Sequence, residues 1–298
     1  MIRVLVTGVT GHAGGHLARR LSEGGLVVRA LVRTDEQAVL VRQQGWEAAR
    51  GDLAHPGTLS TALEGVELVL HAAAYAGDSR PLAVAINVAG SRELAERALQ
   101  AGVRGFVHIS TLSVHGDPIP PNVDEDSPLA VDHPDLYCST KAIAEVELGK
   151  VRSRGLPVTI LRAGMITHWV RSQWGDEMLE KIRSNGWPSG IHPDDVMPWV
   201  HTMNLAEMSW LALKAGPAAS DTFVAADRNV SFREFYGPVA AALGRPIFVP
   251  DRRPEISSAR VGKIASTLGY RPVYTFEETV DRLVQIARRP ERPRAGAP

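Results

Sequence analysis

The chain has 298 residues, with 33 Lys plus Arg set against 33 Asp plus Glu, 44% hydrophobic residues and a single cysteine. At that length roughly 75% of the unfolded surface can be buried, so neither a metal nor a disulfide is needed for folding, and one cysteine cannot close an internal bridge. The charge balance gives no grip on nucleic acid or a membrane surface, no stretch approaches the ~18 apolar residues of a span, and the opening apolar run breaks at Gly8, too soon for a secretory signal. The expectation is a cytoplasmic protein that meets a small molecule, with no nucleic-acid or membrane partner.

Short β-branched runs at Ile2 to Thr7, Val27 to Val32, Glu67 to His71, Arg104 to Ser110 and Pro157 to Leu161 read as strands. Between them, Gly14 to Glu23, Pro81 to Ala101 and Pro134 to Arg152 carry apolar residues at helical spacing, which predicts parallel strands with right-handed helical crossovers. The fold class is therefore α/β, a doubly wound parallel sheet of Rossmann type with a smaller C-terminal lobe. After Leu161 the composition changes, and Trp169, Trp174, Trp187 and Trp199 place four of the six tryptophans in one short stretch broken by Gly and Pro. A strand at Asp221 to Ala225 follows, then a helix from Ser231 to Leu243 whose Ser231 and Glu234 have capping-box spacing and which Gly244 closes. Further helices are predicted at Ser257 to Leu268 and Phe276 to Arg288, before a tail rich in Pro, Gly and charge.

The first strand runs directly into Gly8, Gly11 and Gly14, and the third glycine opens a helix. A strand–turn–helix of this kind offers backbone amides and a helix N-terminus to a pyrophosphate, with Gly8 for a turn of positive φ, Gly11 for close approach of the phosphates and Gly14 for close packing of helix on strand. The dinucleotide-binding part is assigned to residues 1–162 plus about 195–228, a substrate-binding lobe to about 163–194 and 229–290, and a flexible tail to 291–298. An NAD-preferring site places an acid at the end of the second strand; this chain has Arg33 there. A guanidinium suits a 2′-phosphate, so NADP(H) is the preferred cofactor, with NAD(H) retained as an alternative and a solvated loop arginine as the plain reading.

Tyr137 and Lys141 stand four residues apart in a helical pattern and so share a face. A phenol with pKa near 10 is ionised in only about one molecule in a thousand at pH 7, and a neighbouring ammonium lowers that pKa, so the pair predicts acid–base chemistry at a substrate oxygen. Thr111, at the end of the strand closing in HIST, is the third candidate, its hydroxyl placed to bond the reacting oxygen.

The segments TGVTGHAGGHLARRL, LVR, GDL, HAAA, NVAGSREL, HISTLSVHG and YCSTK, followed by VTILRAG, VHTMNLAEMSWLAL and LGYRPVYTFEETV, occur in one order over nearly the whole chain. In this the chain resembles the extended short-chain dehydrogenases/reductases, the group with NAD-dependent epimerase/dehydratase-like members. The resemblance implies a dinucleotide held by the loop residues Gly8, Thr10, Gly11, His12, Ala13 and Gly14, an adenosine ribose phosphate on Arg33, and adenine beside Asp52 and Leu53. It implies cofactor contacts from Ala72, Ala73, Ala74, Tyr137, Lys141, Ala163, Gly164 and Met165, and a catalytic triad of Thr111, Tyr137 and Lys141. Asn87 is expected to be a structural hydrogen-bonding residue and Cys138 a small buried side chain. Relatives commonly pair through two helices, here Pro81 to Ala101 and Pro134 to Arg152, which makes a homodimer an expectation by analogy.

Departures from the family pattern narrow the chemistry. Sugar-nucleotide dehydratases carry Asp and Glu after the threonine, whereas this chain has Leu112 and Ser113; the family's phosphate-facing asparagine is replaced by Met165 and its VYG-like tyrosine by His115. An apolar or aromatic carbonyl substrate is expected, with Ser113, His115, Met165, Trp169 and Trp174 as candidate contacts, although the tryptophans can equally fill the lobe's own core. The histidines show no metal-ligand spacing, and no metal is assigned. The leading expectation is an NADPH-dependent carbonyl reductase or alcohol dehydrogenase; its rivals are a sugar-nucleotide epimerase or reductase and a non-catalytic dinucleotide sensor on the same fold.

Overall fold

A strand covered on both faces must be apolar at successive positions, and Val4, Leu5 and Val6 are all fully buried. They form β1 (Arg3–Thr7) at the centre of the sheet in the computed structural model, which describes residues 1–289. The sheet has seven parallel strands in the order β3 (Glu47–Arg50), β2 (Val27–Val32), β1, β4 (Leu68–His71), β5 (Gly105–Thr111), β6 (Val158–Ala163) and β9 (Thr222–Ala225). The chain winds outward from β1 in one direction through β2 and β3, then returns to start β4 on the other side. That reversal leaves a crevice at the carboxyl ends of β1 and β4, where ligands of open α/β sheets bind.

Helices cover both faces. Helices α1 (Gly14–Glu23), α2 (Asp35–Gln43), α7 (Thr202–Ala215) and α9 (Lys263–Leu268) pack on one, burying Leu17, Leu21, Val41, Met208 and Ile264. On the other lie α3 (Arg80–Ala83), α4 (Ser91–Gln100) and α5 (Leu136–Arg152), which bury Leu94, Ala98, Leu148 and Val151. A three-stranded sheet, β10 (Arg228–Ser231), β8 (Val196–His201) and β7 (Met165–Thr167), joins α6 (Asp176–Asn185), α8 (Phe232–Ala242) and α10 (Phe276–Ala287) in the smaller lobe, whose core holds Trp187, Trp199, Phe235, Tyr236 and Leu283. Among the described residues no helix is long and apolar enough to cross a membrane.

Several elements differ from the sequence reading. The helix expected from Pro81 to Ala101 is interrupted by a π-helical segment at Val84–Gly90. There the buried Asn87 accepts from the Tyr75 amide at 2.7 Å and donates to the Tyr75 carbonyl at 2.8 Å and the Thr140 hydroxyl at 3.0 Å, which is the structural role expected of it. The helix expected over Ser257 to Leu268 begins only at Lys263, because the preceding residues are extended: the Ser257 amide donates to Val196, and Ala259 pairs with Asn229 and Val123. Residues 196–201, placed with the dinucleotide-binding part, instead form the middle strand of the small sheet. Strand β3 and helices α2, α6 and α7 were not among the predicted elements. The capping box at Ser231 and Glu234 is present. The expected tail, 291–298, lies outside the described residues.

Candidate active site

Gly8 turns the chain at the end of β1 with φ of 73°, and a Cβ there would lie 2.6 Å from the Ala73 amide. A Cβ on Gly14 would fall 2.0 Å from the Gly8 carbonyl oxygen, so the first turn of α1 rests directly on the loop that precedes it. No side chain caps α1 at Ala13, and its first turn carries no acid. Its leading amides and the positive end of its dipole are therefore left for an outside acceptor, a cradle that fits a pyrophosphate.

Above the loop opens a cleft of about 430 Å³. Of the residues named from sequence, Gly8, Thr10, Gly11, His12, Ala13, Gly14, Arg33, Asp52, Leu53, Ala72, Ala73, Ala74 and Tyr137 line it. Thr7, Leu31, Gln37, Gly51, Tyr75, Ile86, Ile109, Ser110 and Ile166 line it too and were not foreseen. Gln37 had a readable signal, since it stands one helical turn beyond Arg33; its side chain accepts from the Arg33 amide at 2.8 Å. Asp52 is partly committed to its own turn, accepting from the Ala54 amide at 3.0 Å.

Tyr137 sits in the first turn of α5, which Asp135 caps by accepting from the Cys138 amide at 2.8 Å. Burial pushes the Tyr137 phenol up to about 12, helped by Cys138 and Asp135; the approach of the Thr111 hydroxyl works in the opposite direction. This corrects the expectation that Lys141 lowers the tyrosine's pKa. Lys141 lies one turn further along α5, is only 2% exposed, and does not border the cleft; its Nζ donates to the Ile109 carbonyl at 2.8 Å and lies 2.9 Å from His108 Nε2. Burial also pulls Lys141 down to about 8, against the opposing pull of Glu145. Thr111 closes β5 beside the tyrosine without itself lining the cleft, and its Oγ1 accepts from the Ser113 amide at 3.2 Å.

The remaining nominated residues face elsewhere. Ala163 is buried at the end of β6, and a Cβ on Gly164 would lie 2.4 Å from the Pro198 carbonyl, so that glycine serves the packing of the two sheets. Met165 points into the lobe core while Ile166 takes the cleft side, the consequence of side-chain alternation along β7. Trp169 stacks on His201 at 4.6 Å, and Trp174 packs near Phe232 at 6.0 Å, so neither borders the cleft. Both nitrogens of His115 are engaged, Nδ1 with the Pro128 carbonyl at 2.8 Å and Nε2 with Arg162 at 3.2 Å, which removes it as a substrate contact. Ser113 is confined to the turn after β5.

Two groups escaped the sequence reading. Glu145 and Arg162 form a buried ion pair at 2.8 Å, and Ser110, on the cleft wall, donates to the same carboxylate. An arginine inside the apolar run VTILRAG was the available signal, because a buried guanidinium demands a partner. His133, Asp135 and Cys138 bring possible ligand atoms within 4.8 Å of one another. The grouping is explained by the cap of α5, and the Cys138 thiol is pushed up to about 12, away from the thiolate that binds metal.

A doubly wound sheet with an uncapped glycine loop and a tyrosine on the same cleft defines a dinucleotide-binding protein of the short-chain dehydrogenase/reductase type. Residues 4–226 match the model of the NAD dependent epimerase/dehydratase family, and the chain belongs to that family of enzymes. It is 36% identical over 171 residues to sterol demethylase protein B of Methylococcus capsulatus, covering 55% of this chain and only 52% of that protein. It is 30% identical over 239 residues to a 4-hydroxy-2-methyl-3-oxo-4-farnesyl-3,4-dihydroquinoline-1-oxide ketoreductase of Stigmatella aurantiaca, covering 78% of this chain and 71% of that enzyme. Among solved structures, dTDP-glucose 4,6-dehydratase of Streptomyces venezuelae with NAD bound superposes with a TM-score of 0.77 at 26% identity, covering 95% of this chain and 96% of that one.

Proposed function

We propose that this protein is an NADP(H)-dependent carbonyl reductase, or alcohol dehydrogenase in the reverse direction, acting on a small apolar or aromatic carbonyl compound. The observation that carries the reading is the convergence of Tyr137 and the uncapped glycine loop on one cleft. When bound, the nicotinamide supplies or accepts the hydride. With a pKa near 12, Tyr137 keeps its proton at neutral pH, the form that donates to a carbonyl oxygen as that oxygen becomes an alcohol. Thr111, whose hydroxyl approaches the phenol without lining the cleft, holds Tyr137 in place for that donation. Ile86, Ile109, Ile166 and Tyr75 give the cleft apolar walls and take over the role expected of Met165 and the tryptophans. The likeness to a ketoreductase whose named substrate is a farnesyl-bearing dihydroquinoline oxide with a ring ketone supports an apolar carbonyl substrate, though not a small one. Arg33 and Gln37 on the cleft wall support NADP(H), whose 2′-phosphate an arginine binds in bidentate fashion.

The test is Tyr137→Phe, assayed by NADPH oxidation against a panel of apolar and aromatic ketones, with NADPH and NADH binding followed by fluorescence. The variant is expected to bind dinucleotide as the wild type does and to lose turnover by at least about a hundredfold, the usual contribution of a positioned general acid. Full activity would refute the mechanism, and equal affinity for both dinucleotides would remove the role of Arg33. A sugar-nucleotide substrate is the second reading, favoured by the end-to-end superposition on a dTDP-glucose dehydratase. Leu112 and Ser113 in place of the carboxyl pair take dehydration out of that reading and leave an epimerase or reductase, against which stands Met165 in place of the phosphate-facing asparagine; tight calorimetric binding of a UDP or dTDP sugar would reverse the preference. We further propose a homodimer through the helices of residues 80–100 and α5, where Leu82, Val84 and Val146 are exposed; a monomer in sedimentation would exclude it.

A further inference from the structure

The ammonium of Lys141 is anchored to the backbone of Ile109, a residue that borders the cleft, and among the described residues the one side chain it meets at hydrogen-bonding distance is His108 on β5. The other charged or titratable groups packed around it are otherwise engaged. His71 on β4, its ring 5.0 Å from that of His108, spends Nδ1 on the Thr7 hydroxyl and Nε2 on the Ser91 hydroxyl. Glu145, one turn along α5, is held by Arg162 of β6 and by Ser110. Tyr137, one turn back, lies at the cleft. His108 itself is fully buried, and among the described residues its Nδ1 has no partner and Lys141 is the whole of its side-chain hydrogen bonding.

We propose that His108 is the positioning residue for Lys141: its Nε2 accepts from the ammonium and holds the lysine back from the cleft in the ligand-free protein. The inference rests on the reading of Tyr137 as the proton donor, since Lys141 lies one turn from it on α5.

The proton bookkeeping follows from the geometry. While Lys141 is charged, Nε2 of His108 must accept, which puts the imidazole proton on the unpartnered Nδ1. Once Lys141 is neutral, its amine can accept from an Nε2–H, and the bond survives with the ring in its other tautomer. Burial keeps His108 well below its ordinary value, so the ring stays uncharged throughout, and the change in charge belongs to the lysine. An apolar residue at 108 would leave the ammonium with the Ile109 carbonyl as its remaining partner.

The chain contains five lysines, Lys141, Lys150, Lys181, Lys214 and Lys263, so an NMR titration of lysine labelled with 13C at Cε resolves each one in the ligand-free protein. Lys141 is expected to titrate well below the other four. In His108→Phe its midpoint should fall by a further unit or so, the equivalent of one charge-assisted hydrogen bond, while His108→Gln, whose amide oxygen can accept, should restore it. An unchanged midpoint in His108→Phe would overturn the proposal. Should that variant not fold, the 15N-histidine spectrum of the wild type decides the same point: the His108 proton is expected on Nδ1 below the Lys141 midpoint and on Nε2 above it, and an Nε2–H form at every pH would overturn the proposal. Both readouts are taken without cofactor or turnover. A fully active Tyr137→Phe would therefore refute the catalytic reading, and an unmoved Lys141 midpoint would refute this one.

Discussion

Gly14→Ala is the sharpest perturbation of the proposed cofactor site. The new methyl carbon would lie 2.0 Å from the Gly8 carbonyl oxygen, 2.7 Å from its carbon and 3.1 Å from Val9 Cα, all backbone atoms with no rotamer to change. To recover an ordinary contact of 3.4 Å, the loop or the first turn of α1 must retreat by about 1.4 Å. Overpacking on this scale costs about 1–3 kcal/mol of stability. The same displacement moves the amides that face the cleft, and losing one hydrogen bond to a charged phosphate, worth about 1.5–3 kcal/mol, weakens dinucleotide binding roughly tenfold to a hundredfold. Gly149→Ala is the matched control, because that glycine lies inside α5 and, its own helix backbone aside, no atom of the described residues comes within 4 Å of its would-be Cβ; alanine there should stabilise the helix by up to about 1 kcal/mol. Fluorescence titration with NADPH and NADH, run beside thermal unfolding, measures both effects. If Gly14→Ala bound dinucleotide as tightly as the Gly149→Ala control, the glycine loop would not be the phosphate site.

Acid should unfold the protein through its buried imidazoles. His71 and His201 are fully buried, and burial pulls both down to about 3, so in the folded state they stay neutral where the unfolded chain takes up protons. Their contribution is complete above about pH 6.5 and is lost as pH falls from there toward 3; at pH 5 each has cost about 2 kcal/mol, or on the order of 4 kcal/mol together. A urea midpoint at pH 5 equal to that at pH 7.5 would contradict the burial of both rings. Glu145→Gln should strip the buried Arg162 of its counter-charge and lower stability by about 3–5 kcal/mol, read from thermal or urea unfolding. A loss below about 1 kcal/mol would show that the pair is solvated.

Local rules account for what the sequence decided. The strand entering Gly8, the helix leaving Gly14 and the alternation of β-branched runs with helical spacing specify a doubly wound sheet, because each depends on contacts between near neighbours along the chain. The capping box at Ser231 was legible for the same reason. Spacing placed Tyr137 and Lys141 on one face of α5, yet it could not tell how deeply that face is sunk. Packing of α5 against β5 leaves the tyrosine at the cleft and carries the lysine, one turn on, to His108. Nor could sequence tell which of Met165 and Ile166 would face the cleft, since alternation fixes only that they point opposite ways. How Trp169 and Trp174 pack follows in the same manner from long-range contacts among the small sheet, α8 and the residues around His201. Depth and direction depend on which distant surfaces meet, and for that the tertiary structure was required.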